Sequence, residues 1–411
     1  MTTETHDESY DPFAEFDAAA GIGSVRDPYP VWARLREQTP VWAGSQAEQF
    51  GVASMEEAMY TQTPYTPLTF AAVQQVLRDG ETFSSAGYAE SIGLVFGHSI
   101  LEMDEPEHHA YRGLIQQAFG RKAMETWEEE IVRPVVARHI DAFRERGSAD
   151  LVAELLFPFP VTVIAEMIGL PTEELPTFHR KAVELISIAG NIEVGFAAST
   201  WLYEYFQAII TQRRADPRHD LISVLVEAEL DGQRLTDDEI IAFLRLLLPA
   251  GAETTYRSSS NLMFGLLSNP DQLAALRADR SLMPQAIEEG VRWDPPLTGI
   301  GRTCTKDTVV EGVLIPAGSP VHVCMAAANR DPSRWDRPDE FDIHREQKQH
   351  LAFAFGPHMC LGMHLARMET TVAINALLDL PDLRLDPDAE DVHISGLAFR
   401  APARLPVVFG S

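Results

Sequence analysis

Cysteine is scarce in this chain: 411 residues contain three, Cys304, Cys324 and Cys360. The number is odd and no CxxC spacing occurs, which argues against a disulfide framework and against a multi-cysteine zinc site and fits a reducing compartment. Positive charge is scarce as well. Lys and Arg total 33 against 61 Asp and Glu, giving a formal net charge of −28, and this argues against a general nucleic-acid or anionic-membrane partner, because both need clustered cations. No apolar run approaches the roughly twenty residues of a membrane span. The opening residues, Met1-Thr-Thr-Glu-Thr-His-Asp-Glu-Ser, are acidic and polar, the reverse of a secretory signal, so a cytoplasmic location is expected. Neither a GxGxxG nor a Walker pattern is present, and no internal repeat is visible.

What the chain does have is enough apolar material for a large core: 45% of residues are hydrophobic and 23% charged, the balance of ordinary globular proteins. No Ser/Gly-rich, Pro-rich or single-sign charge run divides it. The expectation is a flexible acidic segment over residues 1–20 and one domain over residues 21–411. Apolar positions recur at helical intervals from Glu107 to Arg146, Leu151 to Ile168 and Thr200 to Arg214. From Tyr60 to Phe70 the chain is rich in Thr, Tyr and Phe and leads into helix-like Ala71 to Arg78; between Thr303 and Val323 β-branched residues alternate between turn residues. The expected class is mainly α with small β-sheets. Arg112, Arg121 and Lys122 are expected on one helix and, with Arg367, form either a docking patch for an acidic protein or a solvated basic face.

The most telling segment is Phe353-Ala-Phe-Gly356-Pro-His358-Met-Cys360-Leu-Gly362. One thiolate does not close a zinc site, but it can serve as the axial ligand of a haem iron. A buried thiolate needs N–H donors to hold its charge. Gly356 and Gly362 let the main chain turn closely around the sulfur, and the helix-forming run that follows sets the sulfur at a helix N-terminus, where the dipole favours an anion. Taken alone, the segment also suits a small core cysteine beside a turn.

A long helix is expected from about Asp237 to Ser268, with Thr236 as N-cap and Glu239 completing a capping box. Its middle, Leu248-Pro249-Ala250-Gly251-Ala252-Glu253-Thr254-Thr255, makes a poor helix: Pro249 removes a hydrogen bond, Gly251 costs about 1 kcal/mol against alanine, and two threonines crowd the turn. A kink is expected there. Small residues make room for a ligand, and the adjacent acid and alcohol, Glu253 and Thr254, suit proton relay into an apolar cavity. The plain alternative is an exposed helix acid beside a threonine that bonds back to a carbonyl. Further along, Glu289 and Arg292 share a helix face ahead of Pro295 and Pro296, a spacing that equally suits a surface ion pair worth under about 1 kcal/mol. His108, Arg112 and Arg302 are either anion binders or surface charges.

In this order and spacing the segments resemble the cytochrome P450 family, and its soluble bacterial members in particular, from Asp27-Pro-Tyr-Pro to Leu405-Pro-Val. The cysteine segment is similar to the family's haem-ligand loop, Ala250-Gly-Ala-Glu253-Thr254-Thr to its oxygen-activating helix, and Glu289-x-x-Arg292 to its structural ion pair. The resemblance implies a single domain with haem b (iron protoporphyrin IX) between the long central helix and the cysteine loop. It implies Cys360 as the iron ligand and Phe353, Gly356 and Gly362 as cofactor-binding loop positions. His108, Arg112, Arg302 and His358 match the propionate partners. Glu253 and Thr254 match the pair that delivers protons during dioxygen activation, and Ala250 and Gly251 the oxygen groove. The chain departs from the family at Ala354, where glycine is usual, and at Pro249, where a non-proline apolar residue is usual. Pro338-Asp339-Glu340-Phe341 also lacks the arginine that commonly joins the Glu-x-x-Arg pair, so Arg345 or Arg330 is expected to replace it.

By family position the substrate pocket is lined by Tyr88, Ile92, Leu94, Val95 and Phe96, by part of Leu185 to Phe196, by Leu297 to Ile300, and by Leu397 and Phe399, although several of these also suit plain core positions. Their apolar character implies a hydrophobic substrate such as a terpenoid, steroid, fatty acid or alkyl aromatic. The implied activity is a monooxygenase that inserts one oxygen atom of O2 by hydroxylation or epoxidation. Its electrons would come from a ferredoxin-type donor with an NAD(P)H-dependent reductase, docking near Arg112, Arg121, Lys122 and Arg367. Two other readings stand beside it: a peroxygenase using hydrogen peroxide, which the Glu253-Thr254 pair disfavours, and a non-catalytic haem binder or sensor, for which an attached signalling or DNA-binding module is expected.

Overall fold

A computed structural model of the chain describes residues 25–52, 60–186 and 192–410. The segment over residues 1–20, and residues 187–191 of the expected pocket, lie outside the described residues.

The central helix begins as its sequence dictates. Glu239 N donates to the Thr236 hydroxyl at 3.2 Å while Thr236 N donates to the Glu239 carboxylate at 2.7 Å, closing the capping box. The chain is α-helical over Asp237–Leu247, π-helical over Leu248–Glu253 and α-helical again over Thr254–Ser268. The expected kink is therefore a π segment with Pro249 near its start: proline cannot donate to the preceding turn, and the wider π turn accommodates the missing bond. Apolar residues are buried on all sides of this helix, among them Ile240, Phe243, Leu247, Leu262, Met263 and Leu266, as suits a helix at the centre of a core. The helices Pro158–Met167, Leu175–Ile186, Met283–Trp293 and Met363–Leu378 pack around it.

The amphipathic run from Glu107 to Arg146 is not one helix. It forms Glu107–Ile115, Arg121–Trp127 and Arg133–Phe143, with turns of other helix types between them. Gly120 is extended at φ −70°, ψ 158°, so Arg112 stands on a different helix from Arg121 and Lys122, a correction to the single helix expected.

The main sheet has five strands in the order Val41–Ala43, Tyr65–Pro67, Pro320–Val323, Ile300–Cys304 and Phe83–Ser84. Val321 pairs with Arg302 on one side and Tyr65 on the other. The strand character expected over Thr303 to Val323 thus divides between this sheet and a separate hairpin, Thr308–Val310 with Val313–Ile315. The helix Phe70–Arg78, capped by Thr69, buries Val73, Val76 and Leu77 in one cluster with Phe83, Val321 and Val323. That places the Leu77 carbonyl directly beneath the cysteine loop.

Glu289 and Arg292 are buried, which removes the surface-pair reading. Arg292 makes two bonds to the Glu289 carboxylate, at 2.7 and 2.8 Å, and donates to the carbonyls of Asn329, Pro338 and Glu340. Arg345 completes this network, its Nε 3.2 Å from Glu289 Oε1. Arg330 lies elsewhere, 3.4 Å over the Tyr29 ring and donating to the Trp293 carbonyl.

Candidate active site

The cysteine loop is folded by two residues with positive φ, Ala354 at 58° and Gly356 at 75°. At Gly356 a Cβ would stand 2.5 Å from the Leu77 carbonyl oxygen, so the loop can lie on that helix only with glycine there. Gly362 differs: its φ is −83° and a Cβ would meet nothing within 4 Å, so the turn itself does not require glycine at that position. Cys360 N donates to Phe353 O at 2.9 Å, bringing the two ends of the loop together.

Cys360 is open to solvent on one side, whereas Cys304 and Cys324 are buried. Burial pushes the Cys324 thiol up to about 12. Protein encloses the Cys360 sulfur closely enough that desolvation raises its pKa too, against the N–H groups of Gly362 and Met363 and the charges of Arg112 and Arg367, all of which favour the thiolate. The sulfur sits at the N-terminus of Met363–Leu378, where the helix dipole also favours an anion. It is a reachable thiol surrounded by groups that stabilise its anion, and coordination to a metal deprotonates such a thiol.

Beside it lies a basic cluster. The His108 and His358 rings have centroids 4.0 Å apart, Arg112 donates to Met359 O at 2.7 Å, and Arg302 donates to Gly301 O at 2.7 Å. Burial, reinforced by Arg302, His108 and Arg112, pushes His358 down to about 3. Burial also lowers His108 and Arg302. The Nε2 atom of His108 is buried without a hydrogen-bond partner. Such a crowd of basic groups, with a buried nitrogen unsatisfied, is suited to an anion. A thiol and this cluster together fit a haem carrying two propionates. Tyr88 belongs to the same corner, since its hydroxyl accepts from Gly301 N at 2.6 Å.

On the central helix Glu253 is not an exposed acid. It is 3% exposed and forms an ion pair with the fully buried Arg257 one turn on, whose guanidinium lies 5.0 Å over Tyr256 and 5.7 Å over Phe399. The only sequence signal for Arg257 is the i, i+4 acid–base spacing. Thr254 does bond back, its hydroxyl donating to Ala250 O at 2.6 Å. Ala250 is exposed, while at Gly251 a Cβ would stand 2.9 Å from Ile164 Cδ1, so glycine at this position permits the close crossing of Pro158–Met167. Glu369, from the helix after Cys360, is buried and takes a hydrogen bond from Thr255; burial raises its pKa to about 8. Sequence reasoning missed it, because nothing local distinguishes it from a surface acid.

Among the expected pocket residues, Leu94 on the short helix Gly93–Phe96 is 66% exposed, whereas Val95 and Phe96 join the main core. Ile92, Ile300 and Leu397 are half-buried, and Leu297 bridges to Phe399. Arg367 is not a free docking cation: it makes two bonds to Glu288, at 2.6 and 2.8 Å, and stacks 4.5 Å over Phe353. Arg121 and Lys122 are exposed, Arg121 pairing with Glu125 at 2.8 Å.

The cytochrome P450 family profile matches residues 193–401, a span holding the central helix, Glu289, Arg292 and Cys360. The chain is 38% identical over 353 residues to the steroid C26-monooxygenase of Mycolicibacterium smegmatis, covering 83% of this chain and 86% of that protein. It is 37% identical over 343 residues to cytochrome P450 107B1 of Saccharopolyspora erythraea, covering 82% and 83%. Its fold matches the crystal structure of CYP109E1 from Bacillus megaterium in complex with testosterone with a TM-score of 0.84 and 29% identity, over 94% of this chain and 100% of that one. Among the described residues no helix is long and apolar enough to cross a membrane. Sequence identity over most of the chain and a fold shared over nearly all of it make this protein a member of the cytochrome P450 family, a haem-thiolate monooxygenase with the family's mainly α, single-domain architecture.

Proposed function

We propose that the protein inserts one oxygen atom of O2 into a hydrophobic small molecule, by hydroxylation or epoxidation, with electrons from a ferredoxin-type donor and its NAD(P)H-dependent reductase in the cytoplasm. The observation that carries this reading is the Glu253–Thr254 step, an acid and an alcohol at the junction of the π segment with the following helix. Haem b, when bound, supplies the oxygen and electron chemistry. Cys360 would hold its iron, with His108, Arg112, Arg302 and His358 on its propionates, Phe353 and Gly356 shaping the loop, and Gly362 leaving open space beside it.

The chain's own part is to manage protons. In the resting arrangement the Thr254 proton is held on Ala250 O at 2.6 Å. Rotating that hydroxyl away from the carbonyl frees it to donate towards the cavity, and Glu253, the residue before it, can relay a proton to it only by swinging off Arg257 and taking one up. Ala250 and Gly251 keep the helix surface small at this point. The apolar residues Ile92, Leu94, Leu297, Ile300, Leu397 and Phe399 suit a hydrophobic substrate. A steroid-like molecule is supported by the relative named as a steroid C26-monooxygenase and by the structural neighbour solved with testosterone. With Arg112 and Arg367 bonded internally, Arg121 and Lys122 are the exposed cations offered to an acidic electron donor.

The test is Thr254→Ala, assayed with ferredoxin, reductase and NAD(P)H. Product per NAD(P)H is expected to fall severalfold while peroxide release rises. Unchanged coupling would remove Thr254 from proton delivery, and equal turnover on hydrogen peroxide alone would favour a peroxygenase.

A further inference from the structure

Glu288 and Glu289 are consecutive on Met283–Trp293, and at 3.6 residues per turn their side chains leave the helix about 100° apart. Glu289 serves Arg292 and Arg345. Glu288 turns instead to the cysteine loop and the helix after it. Its carboxylate accepts from Arg367 Nε at 2.6 Å and Nη2 at 2.8 Å, and lies 3.1 Å from His350 Nε2. Because Ala352 N donates to His350 Nδ1 at 3.2 Å, the His350 proton sits on Nε2 and points at Glu288. One carboxylate thus joins His350, which precedes the loop, to Arg367, which follows it.

Between these anchors lies Phe353. Its ring is 4.5 Å beneath the Arg367 guanidinium and 5.8 Å from the His350 ring, and its carbonyl accepts the Cys360 N–H. Arg367 also acts electrostatically on the Cys360 sulfur, favouring its anion. A forked arginine–carboxylate bond fixes the guanidinium plane in a way that a single contact does not.

We infer that Glu288 is a positioning residue for the haem-thiolate centre: by holding Arg367 over Phe353 it fixes one positive charge against the loop that carries Cys360 and thereby helps set the reduction potential of the iron. This rests on Cys360 being the iron ligand. The intact pair is neutral overall. Removing the acid's charge leaves a net positive charge near the thiolate, which favours the state with one more electron; removing the arginine's charge does the reverse.

The test is potentiometric titration of the haem-loaded wild type and of the Glu288→Gln, Arg367→Gln and Glu288→Asp variants, each with a carbon-monoxide difference spectrum. Glu288→Gln is expected to raise the ferrous-to-ferric ratio at fixed ambient potential about tenfold, or about 60 mV for one electron. Arg367→Gln is expected to lower it, and Glu288→Asp to stay near wild type. Shifts of Glu288→Gln and Arg367→Gln in the same direction would mean that both merely loosen the loop, and unmoved potentials would mean that the pair does not tune the iron; either overturns the inference. If Glu288→Gln fails to take up haem, the opposite displacement expected of Arg367→Gln, with Glu288→Asp near wild type, still decides. A wild-type spectrum without the thiolate-type band would instead sink the ligand assignment on which the inference stands.

Discussion

Glu253 and Arg257 form an ion pair one turn apart on the central helix, closed to solvent, with the guanidinium 5.0 Å over the Tyr256 ring and 5.7 Å over that of Phe399. Breaking a buried pair by removing one partner strands the other charge, which costs about 3–5 kcal/mol. Arg257→Gln is therefore expected to lower the denaturant midpoint substantially, and Arg257→Lys, which keeps the charge and loses the fork, to lower it less. Urea titration monitored by circular dichroism checks the order. An Arg257→Gln protein as stable as wild type would contradict the pairing.

Glu369 gives a pH dependence of definite sign. Burial raises its folded pKa to about 8 from 4.5, with the Thr255 hydrogen bond acting in the opposite direction. An acid held neutral in the fold contributes stability that is fully present below its unfolded pKa and is lost as pH rises through the folded value, here from about 4.5 to about 8. The Glu369→Gln variant, whose amide does not titrate, should lack this decline, a difference on the order of a few kcal/mol. Denaturation midpoints of both proteins near pH 5 and near pH 9 measure it. Parallel pH profiles would show that Glu369 is not buried as a neutral acid. Glu288 acts in the other direction and elsewhere on the scale: His350 and Arg367 outweigh burial and hold it at about 2, so its contribution is present above its unfolded pKa and is lost only as pH falls through about 2.

Ala354 occupies a left-handed conformation at φ 58°, which costs a residue with a Cβ roughly 1–2 kcal/mol. Ala354→Gly relieves that strain, while the greater freedom of glycine in the unfolded chain takes back about 0.4–1 kcal/mol. A net gain of up to about 1 kcal/mol is expected, visible as a higher thermal midpoint of the haem-loaded protein with an unchanged carbon-monoxide spectrum. A lower midpoint would contradict the strain argument.

The features that were legible in the sequence are those written locally. Thr236 and Glu239 announce their capping box within four residues, Pro249 and Gly251 mark the faulty stretch of helix, and Gly356 sits in a loop whose geometry only glycine satisfies. What was not legible depends on partners far away in the chain. Arg367 reads as a free surface cation until Glu288, 79 residues away, is seen to bind it. Arg345 and Arg330 are equivalent as sequence, and packing against Glu289 or Tyr29 separates them. Gly120 is a local signal that a single-helix reading overlooks: its extended backbone separates the helical stretch holding Arg112 from the helix holding Arg121. Val95 and Phe96 are as apolar as Leu94, and only the packing shows that they belong to the core while Leu94 is exposed.

The central claim is that Cys360 binds haem iron as a thiolate. Its most direct test is the carbon-monoxide difference spectrum of the dithionite-reduced protein, wild type beside Cys360→Ser. A strongly red-shifted Soret band in the wild type that is lost in the variant is the result expected. A wild-type band typical of imidazole or neutral thiol ligation, or a red-shifted band that survives Cys360→Ser, would contradict it.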